Sequence, residues 1–294
     1  MPAVLVPPEL FAVSVMEKRN KMGKFDGVLI CTDLDGTLFK KDKTVSPENK
    51  KAIEYFKSEG GLFTFVTGRM PRFARDVFEI VNPNAPVGCV NGAGLYDYVR
   101  NEYIWKAEIH EKVCELVRLV DENFPEIGIQ VNTYDTTYFS KENEVMKHFR
   151  KVTGAENLVC GYMDVKEPIA KIVFGVITEE EMKGLGEMLK GHPLAENFDF
   201  IRSERYLYEI LPKGIGKGTS VQKLCEKLGI DINKTVAVGD YNNDISMFHA
   251  AKVAVAVANA SEAAKKAADY ITVSNEEHAI AKVISDLENS KYGI

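Results

Sequence analysis

Val28-Leu29-Ile30-Cys31 is a short unbroken apolar run, the pattern of a strand buried on both faces. Ser46-Pro47 then signals a helix start, with Ser as N-cap and Pro in the first turn. Ala52, Ile53 and Phe56 recur at helical spacing until Gly60-Gly61. A second apolar strand is predicted over Leu62 to Val66, a helix over Pro71 to Ile80 and a third strand over Val87 to Val90. Strand, helix, strand, helix in this order implies a parallel sheet. Leu95-Tyr96 with Tyr103-Ile104-Trp105 predicts a hairpin around Arg100-Asn101.

From about Ala107 to Tyr208 the texture changes. Helix-like segments (His110 to Asn123, Lys141 to Val152, Glu179 to Lys190) separate strand-like ones (Ile127 to Val131, Tyr138-Phe139, Ala170 to Ile177, Phe198 to Ile201), as in an α+β module. Strand and helix alternation then returns: a helix over Gly218 to Leu228, strands over Thr235 to Val238 and Val253 to Val257 with a helix after Asp244 between them, and a last strand over Ile271 to Val273. The chain therefore divides into an extension (residues 1–24), the first part of an α/β core (25–106), an inserted α+β module (107–208) and the second part of the core (209–294).

Composition narrows the class. With 294 residues, 45% hydrophobic and 27% charged, the chain is long enough for a substantial core and is neither disordered nor fibrous. A net charge of -6 argues against a general nucleic-acid binder. Cys31, Cys89, Cys114, Cys160 and Cys225 form no C-x-x-C pair and read as reduced thiols, Cys31 and Cys89 as small core hydrophobes. The apolar stretch Ala3 to Met16 is broken by Pro7-Pro8 and Glu9, which fits neither a signal peptide nor a membrane span, so a cytoplasmic location is expected. That extension either packs through Leu10, Phe11 and Val13 or is mobile, and Lys18 to Lys24 reads as a solvated basic stretch. Asn233-Lys234-Thr235 matches a glycosylation acceptor by chance.

Four polar clusters fall at strand ends or helix starts of the α/β part. They are Asp33-Leu34-Asp35-Gly36-Thr37-Leu38, Thr67-Gly68-Arg69, Lys217-Gly218-Thr219 and Gly239-Asp240-Tyr241-Asn242-Asn243-Asp244. Each alone is explained as well by turn and cap propensities, which favour these residue types. All four in series point to a site, because open α/β sheets bind ligands at the carboxyl ends of their strands.

Asp-x-Asp-Gly-Thr-Leu, Thr-Gly-Arg, Lys-Gly and Gly-Asp-x-x-Asn-Asp in this order resemble the haloacid dehalogenase superfamily. Asn91-Gly92-Ala93, the run Glu209 to Gly218 and Asn259-Ala260 are similar to its Cof-type sugar-phosphatase branch. The resemblance implies a Rossmann-like parallel-sheet core with an inserted α+β cap, and hydrolysis of a small phosphorylated metabolite with Mg²⁺. A phosphate dianion repels nucleophiles, so its charge must be neutralised while an attacker is held in line. Asp33 would attack and form an aspartyl-phosphate. Asp33, the Asp35 backbone carbonyl and Asp240 would hold Mg²⁺, with Asp244 supporting them. Asp35 would be general acid and then base, which requires a neutral carboxyl beside an ionised Asp33. Thr67, Gly68, Lys217, Asn243 and the Leu34 amide would contact phosphate.

Arg69 would reach either substrate or a carboxylate under the cap. Gly216-Lys217 is no P-loop, since Gly218 stands where Ser or Thr is needed. His278 reads as an exposed helix-start residue rather than a ligand. Tyr134, Asp135, Tyr162 and Glu209 are cap candidates by residue type. A phosphomutase and a phospho-ligand-binding protein without turnover remain alternatives. No membrane partner is expected, and neither the ester nor the oligomeric state is legible.

Overall fold

The computed structural model describes residues 23–294. The extension with Leu10, Phe11 and Val13, and the basic stretch from Lys18, lie outside the described residues up to Met22. The chain opens with β1 (Leu29–Thr32), α1 (Pro47–Ser58), β2 (Leu62–Phe65) and α2 (Pro71–Val81). A meander follows, β3 (Val87–Cys89), β4 (Gly94–Asp97) and β5 (Glu102–Lys106). The middle of the chain forms α3 (Val113–Asn123), β6 (Gly128–Thr133), β7 (Thr137–Lys141), α4 (Glu144–Thr153), β8 (Ile169–Gly175), α5 (Glu179–Gly191), β9 (Phe198–Glu204) and β10 (Leu207–Pro212). The last part holds α6 (Lys217–Leu228), β11 (Thr235–Gly239), α7 (Ile245–Ala250), β12 (Val253–Ala256), α8 (Glu262–Ala267), β13 (Tyr270–Ile271) and α9 (Ala279–Glu288).

The core is a parallel five-stranded sheet in the order β13-β12-β11-β1-β2. Ile30 lies between Phe63 of β2 and Val236 of β11, and every residue of β1 is buried, which is why that run is apolar without alternation. The N-cap at Ser46 forms as expected, its side chain accepting from the Asn49 N–H at 3.2 Å. Because β2 and β11 flank β1 on opposite sides, the chain after β1 emerges at the point where the strand order reverses.

The segment Val87 to Val90 departs from the predicted third parallel strand. Val87–Cys89 touches the core sheet only through a parallel bridge between Val66 and Gly88, and its ladder runs antiparallel to β4. The cause is local: Val90, Asn91 and Gly92 have positive φ (56°, 53° and 95°), which turns the chain back on itself. The predicted hairpin is present as β4 and β5. The last strand is Tyr270–Ile271 rather than Ile271 to Val273.

The middle sheet is antiparallel, in the order β7-β6-β8-β10-β9. Leu116, Val117 and Val120 of α3 and Leu185 and Leu189 of α5 cover one face, packing on Ile129, Val131, Ile172, Phe174 and Ile210. The register puts Thr137, Asn132 and Lys171 in one row on the other face, and Gln130 and Glu209 in the next. That face meets the core, since the Lys171 ammonium donates to the Gly68 carbonyl at 3.1 Å. Past Tyr208, where the sequence pattern ends the module, the chain runs on as β10 in this same sheet before entering α6. No helix among the described residues is long and apolar enough to cross a membrane.

Candidate active site

Asp33 follows β1 directly, and its N–H continues the ladder to the Val238 carbonyl at 2.8 Å. The wide turn over Leu34–Leu38 closes with the Phe39 N–H on the Leu34 carbonyl (2.8 Å) and needs φ of 86° at Gly36. A Cβ there would also sit 2.5 Å from Asp240 Oδ2, so glycine is required twice over. Asn259 steadies the turn, its Nδ2 donating to the Gly36 carbonyl at 2.8 Å and its Oδ1 accepting from the Asn275 N–H at 3.0 Å.

Asp240 comes at the end of the neighbouring β11, and Thr37 Oγ1 donates to its Oδ1 at 2.9 Å. Asp244 turns back to accept from the Asp240 and Tyr241 N–H groups, both at 2.9 Å. Lys217, the first residue of α6 and 1% exposed, donates to Asp33 Oδ1 and Asp244 Oδ1, each at 2.5 Å. Asp33, Asp240 and Asp244 each offer a carboxylate oxygen within 4.8 Å of the others. The ends of two neighbouring strands, more than two hundred positions apart in the chain, are thus folded into one acidic cluster around one ammonium.

The electrostatics follow. Burial pushes the Asp33 carboxyl well above its usual value; Lys217 opposes this, and Asp244 and Asp240 add to it. Asp240 is pushed up to about 6 by burial and by the Asp244 charge. Burial alone would lower Lys217, but Asp244 and Asp33 outweigh it and its value is raised. Three hard carboxylates with a single compensating cation are a donor set suited to Mg²⁺.

Asp35 does not join that cluster. The Arg69 guanidinium grips it with two bonds, Nε to Oδ2 at 2.9 Å and Nη2 to Oδ1 at 2.8 Å, and Lys43 Nζ reaches Oδ1 at 2.8 Å. Burial would raise the Asp35 carboxyl, yet Arg69 and then Lys43 hold it below the usual carboxylate range. Of the two readings of Arg69, the structure shows the pairing with a carboxylate.

Thr67 and Gly68 lie at the carboxyl end of β2, with the buried Thr67 donating its N–H to the Gly88 carbonyl (2.9 Å). Leu34 is fully buried, and its carbonyl is taken by the Phe39 N–H that closes the turn. Asn243 donates from Nδ2 to Asn91 Oδ1 at 3.1 Å. Among the cap candidates, Tyr134 is structural: its hydroxyl donates to the Ala107 carbonyl at 2.5 Å and lies 3.0 Å from the Ala93 carbonyl. Tyr162 donates to Asp121 of α3 (3.2 Å), and Asp135 is an exposed residue of the β6–β7 turn. Glu209 is 2% exposed and accepts from Lys171 and Asn91, both at 2.8 Å. Lys171 and Lys43 carried no motif signal, and Asn91 was visible only as part of Asn91-Gly92-Ala93. His278 begins α9 with φ of 63°, its Nδ1 3.5 Å from Glu48 Oε2.

A model of the haloacid dehalogenase-like hydrolases matches residues 30–284. The chain is 28% identical over 267 residues to the 5-amino-6-(5-phospho-D-ribitylamino)uracil phosphatase YitU of Bacillus subtilis, covering 88% of this chain and 96% of that protein. It is 27% identical over 284 residues to the phosphatase YwpJ of the same organism, covering 88% and 99%. Among solved structures, a haloacid dehalogenase-like hydrolase from B. subtilis superposes with a TM-score of 0.75 at 26% identity, covering 88% of this chain and 99% of that one.

Proposed function

The chain belongs to the haloacid dehalogenase-like hydrolases, and from that membership we propose that it is a Mg²⁺-dependent phosphatase of small phosphate monoesters, sugar phosphates foremost, acting through an aspartyl-phosphate. The observation that carries the reading is the convergence of Asp33, Asp240 and Asp244 at the carboxyl ends of β1 and β11, with Lys217 bonded to Asp33 and Asp244. Asp33, Asp240 and the Asp35 backbone carbonyl, backed by Asp244, would hold Mg²⁺, which supplies charge neutralisation for the phosphoryl oxygens.

In this reading an Asp33 oxygen attacks phosphorus, the bond from phosphorus to the ester oxygen breaks, and Asp35 gives that oxygen a proton. Asp35 then takes a proton from the water that cleaves the aspartyl-phosphate. Thr67, Gly68, the Leu34 amide and Asn243 would hold the phosphoryl oxygens while Lys217 balances their charge. Asp35 meets Arg69 and Lys43 in this structure. Its proton-carrying role therefore needs Arg69 to exchange Asp35 for the incoming ester. The sugar-phosphate preference is supported by the relative that takes a phosphorylated ribityl compound. None of the five cysteines is disulfide-bonded, which supports a reducing, cytoplasmic setting.

The test is turnover of p-nitrophenyl phosphate and a sugar-phosphate panel with Mg²⁺, with EDTA as control. Asp33→Asn is expected to abolish phosphate release. Asp35→Asn is expected to slow it by roughly 10²- to 10⁴-fold, the usual worth of general acid-base catalysis. Near-wild-type rates in either variant would sink the mechanism.

A further inference from the structure

A buried polar relay connects the middle sheet to the core. Lys171 of β8 and Glu209 of β10 are 5% and 2% exposed and pair at 2.8 Å. Glu209 Oε2 also accepts from Asn91 Nδ2 at 2.8 Å, and Asn91 Oδ1 accepts from Asn243 Nδ2 at 3.1 Å. The direction of every bond is imposed by the carboxylate. Glu209 accepts only, so Asn91 must turn its NH₂ edge to the middle sheet and its oxygen to the core. Asn243 must then present NH₂ to that oxygen, which leaves its second N–H for another acceptor.

The backbone holds Asn91 in this place against its own preferences. Positive φ at Val90, Asn91 and Gly92 in succession is unfavourable, above all for a β-branched residue. The turn is pinned by the Val90 N–H on the Arg69 carbonyl and the Asn91 N–H on the Thr67 carbonyl, both at 3.0 Å. Asn91 therefore lies against the Thr67-Gly68 segment, so close that a Cβ on Gly68 would meet its Oδ1 at 3.0 Å. Lys171 grips the same segment through the Gly68 carbonyl. An apolar contact would join the two modules without desolvating a charge pair. A carboxylate also fixes the direction of an amide chain, which an apolar contact does not.

We propose that Glu209 is a positioning residue for phosphate binding: through Asn91 it sets which edge of the Asn243 amide faces the reaction centre, so the phosphate site is complete only when the middle module is seated on the core. This rests on the reading of Asn243 as a phosphate contact.

The experiment measures the Kd of inorganic phosphate by calorimetry with Mg²⁺ present, and KM and kcat for p-nitrophenyl phosphate. Wild type is compared with Asn91→Gly and with the double variant Lys171→Met/Glu209→Met. Asn91→Gly removes the amide while keeping access to positive φ. The double variant replaces the ion pair by apolar chains of similar volume and is expected to keep its melting temperature within a few degrees. Both variants are expected to raise phosphate Kd and KM about tenfold, with kcat changed less than about threefold, as loss of uniform binding predicts. Unchanged phosphate Kd in both overturns the relay, and so does a loss in the double variant that Asn91→Gly does not share. If the double variant fails to fold, Asn91→Gly alone decides. A wild type that cleaves no ester yet binds phosphate refutes the hydrolase reading while the Kd comparison still decides this one. A wild type that binds no phosphate overturns both.

Discussion

Lys217 bonds two members of the acidic cluster, Asp33 and Asp244, and its ammonium is as buried as they are. Replacing it by Met keeps the volume and leaves Asp33 and Asp244 facing each other without a counter-charge. Breaking a buried pair from one side typically costs about 3–5 kcal/mol, because a charge is left desolvated and uncompensated. Lys217→Met is therefore expected to lower stability by an amount of that order in urea unfolding with EDTA. Mg²⁺ should recover part of the loss by taking up the same carboxylates. A variant as stable as wild type in EDTA would show that the ammonium does not balance this cluster. Asp33 and Asp240 were legible in the sequence because residue type and strand-end position coincided, and Lys217 because it stands at a helix start. Asp35's partner was not, since a long guanidinium at Arg69 reaches several targets and only the fold selects among them. Lys171 carries no motif signal and Glu209 is singled out by residue type alone, and their pairing is hidden for another reason: each sits inside a strand, 38 positions from the other, and only the register of β8 and β10 brings them together.

At the scale of elements, α9 shows how a charge is built into a packed helix. Ala279, Ile280, Val283, Ile284 and Leu287 are buried, and Asp286 lies between them and solvent, bonded by Lys282 one turn back and by Lys291 Nζ at 2.9 Å beyond the helix end. Burial would raise the Asp286 carboxyl, but the two lysines outweigh it and hold it below the usual range. A carboxyl whose folded value is depressed contributes stability above its unfolded value, about 3.9, and loses it as pH falls through the folded value. Urea unfolding of wild type and Asp286→Asn should therefore differ most near neutral pH and converge as pH falls through the depressed folded value. Because both lysines are nearly half exposed, the difference should shrink in high salt. A gap that stays constant across acid pH would mean that Asp286 acts by packing alone. The helical period of Ile280, Val283, Ile284 and Leu287 puts α9 within reach of the sequence, whereas β10 is disguised, its apolar run interrupted by Glu209 and continuous with the glycine-rich connection to α6. The strand over Val87–Cys89 is misread for a third reason, that apolar pattern predicts a strand but not its partner, and the turn at Val90 to Gly92 gives it to β4.

For the molecule as a whole, the acidic cluster joins parts of the core that the middle module separates along the chain. Asp33 follows β1, whereas Asp240 and Asp244 follow β11, and the two strands are neighbours in the core sheet. Three carboxylates and one ammonium leave the cluster short of positive charge, and burial together with the Asp244 charge raises Asp240 to about 6. A raised carboxyl destabilises the fold once pH exceeds its unfolded value, so at neutral pH the metal-free protein bears a cost there. A divalent cation bound only by the folded chain offsets that cost, by about 2.7 kcal/mol at a hundredfold excess over Kd. Mg²⁺ is accordingly expected to raise the melting temperature and EDTA to reverse the gain. Asp240→Asn makes the argument two-sided: it relieves the repulsion with Asp244, so it should melt no lower than wild type in EDTA, yet it should lose most of the response to Mg²⁺. Calorimetric melts of both proteins with and without Mg²⁺ check this. If the wild-type midpoint ignores Mg²⁺, or the Asp240→Asn midpoint follows it equally, the cation is not held between the two halves of the core.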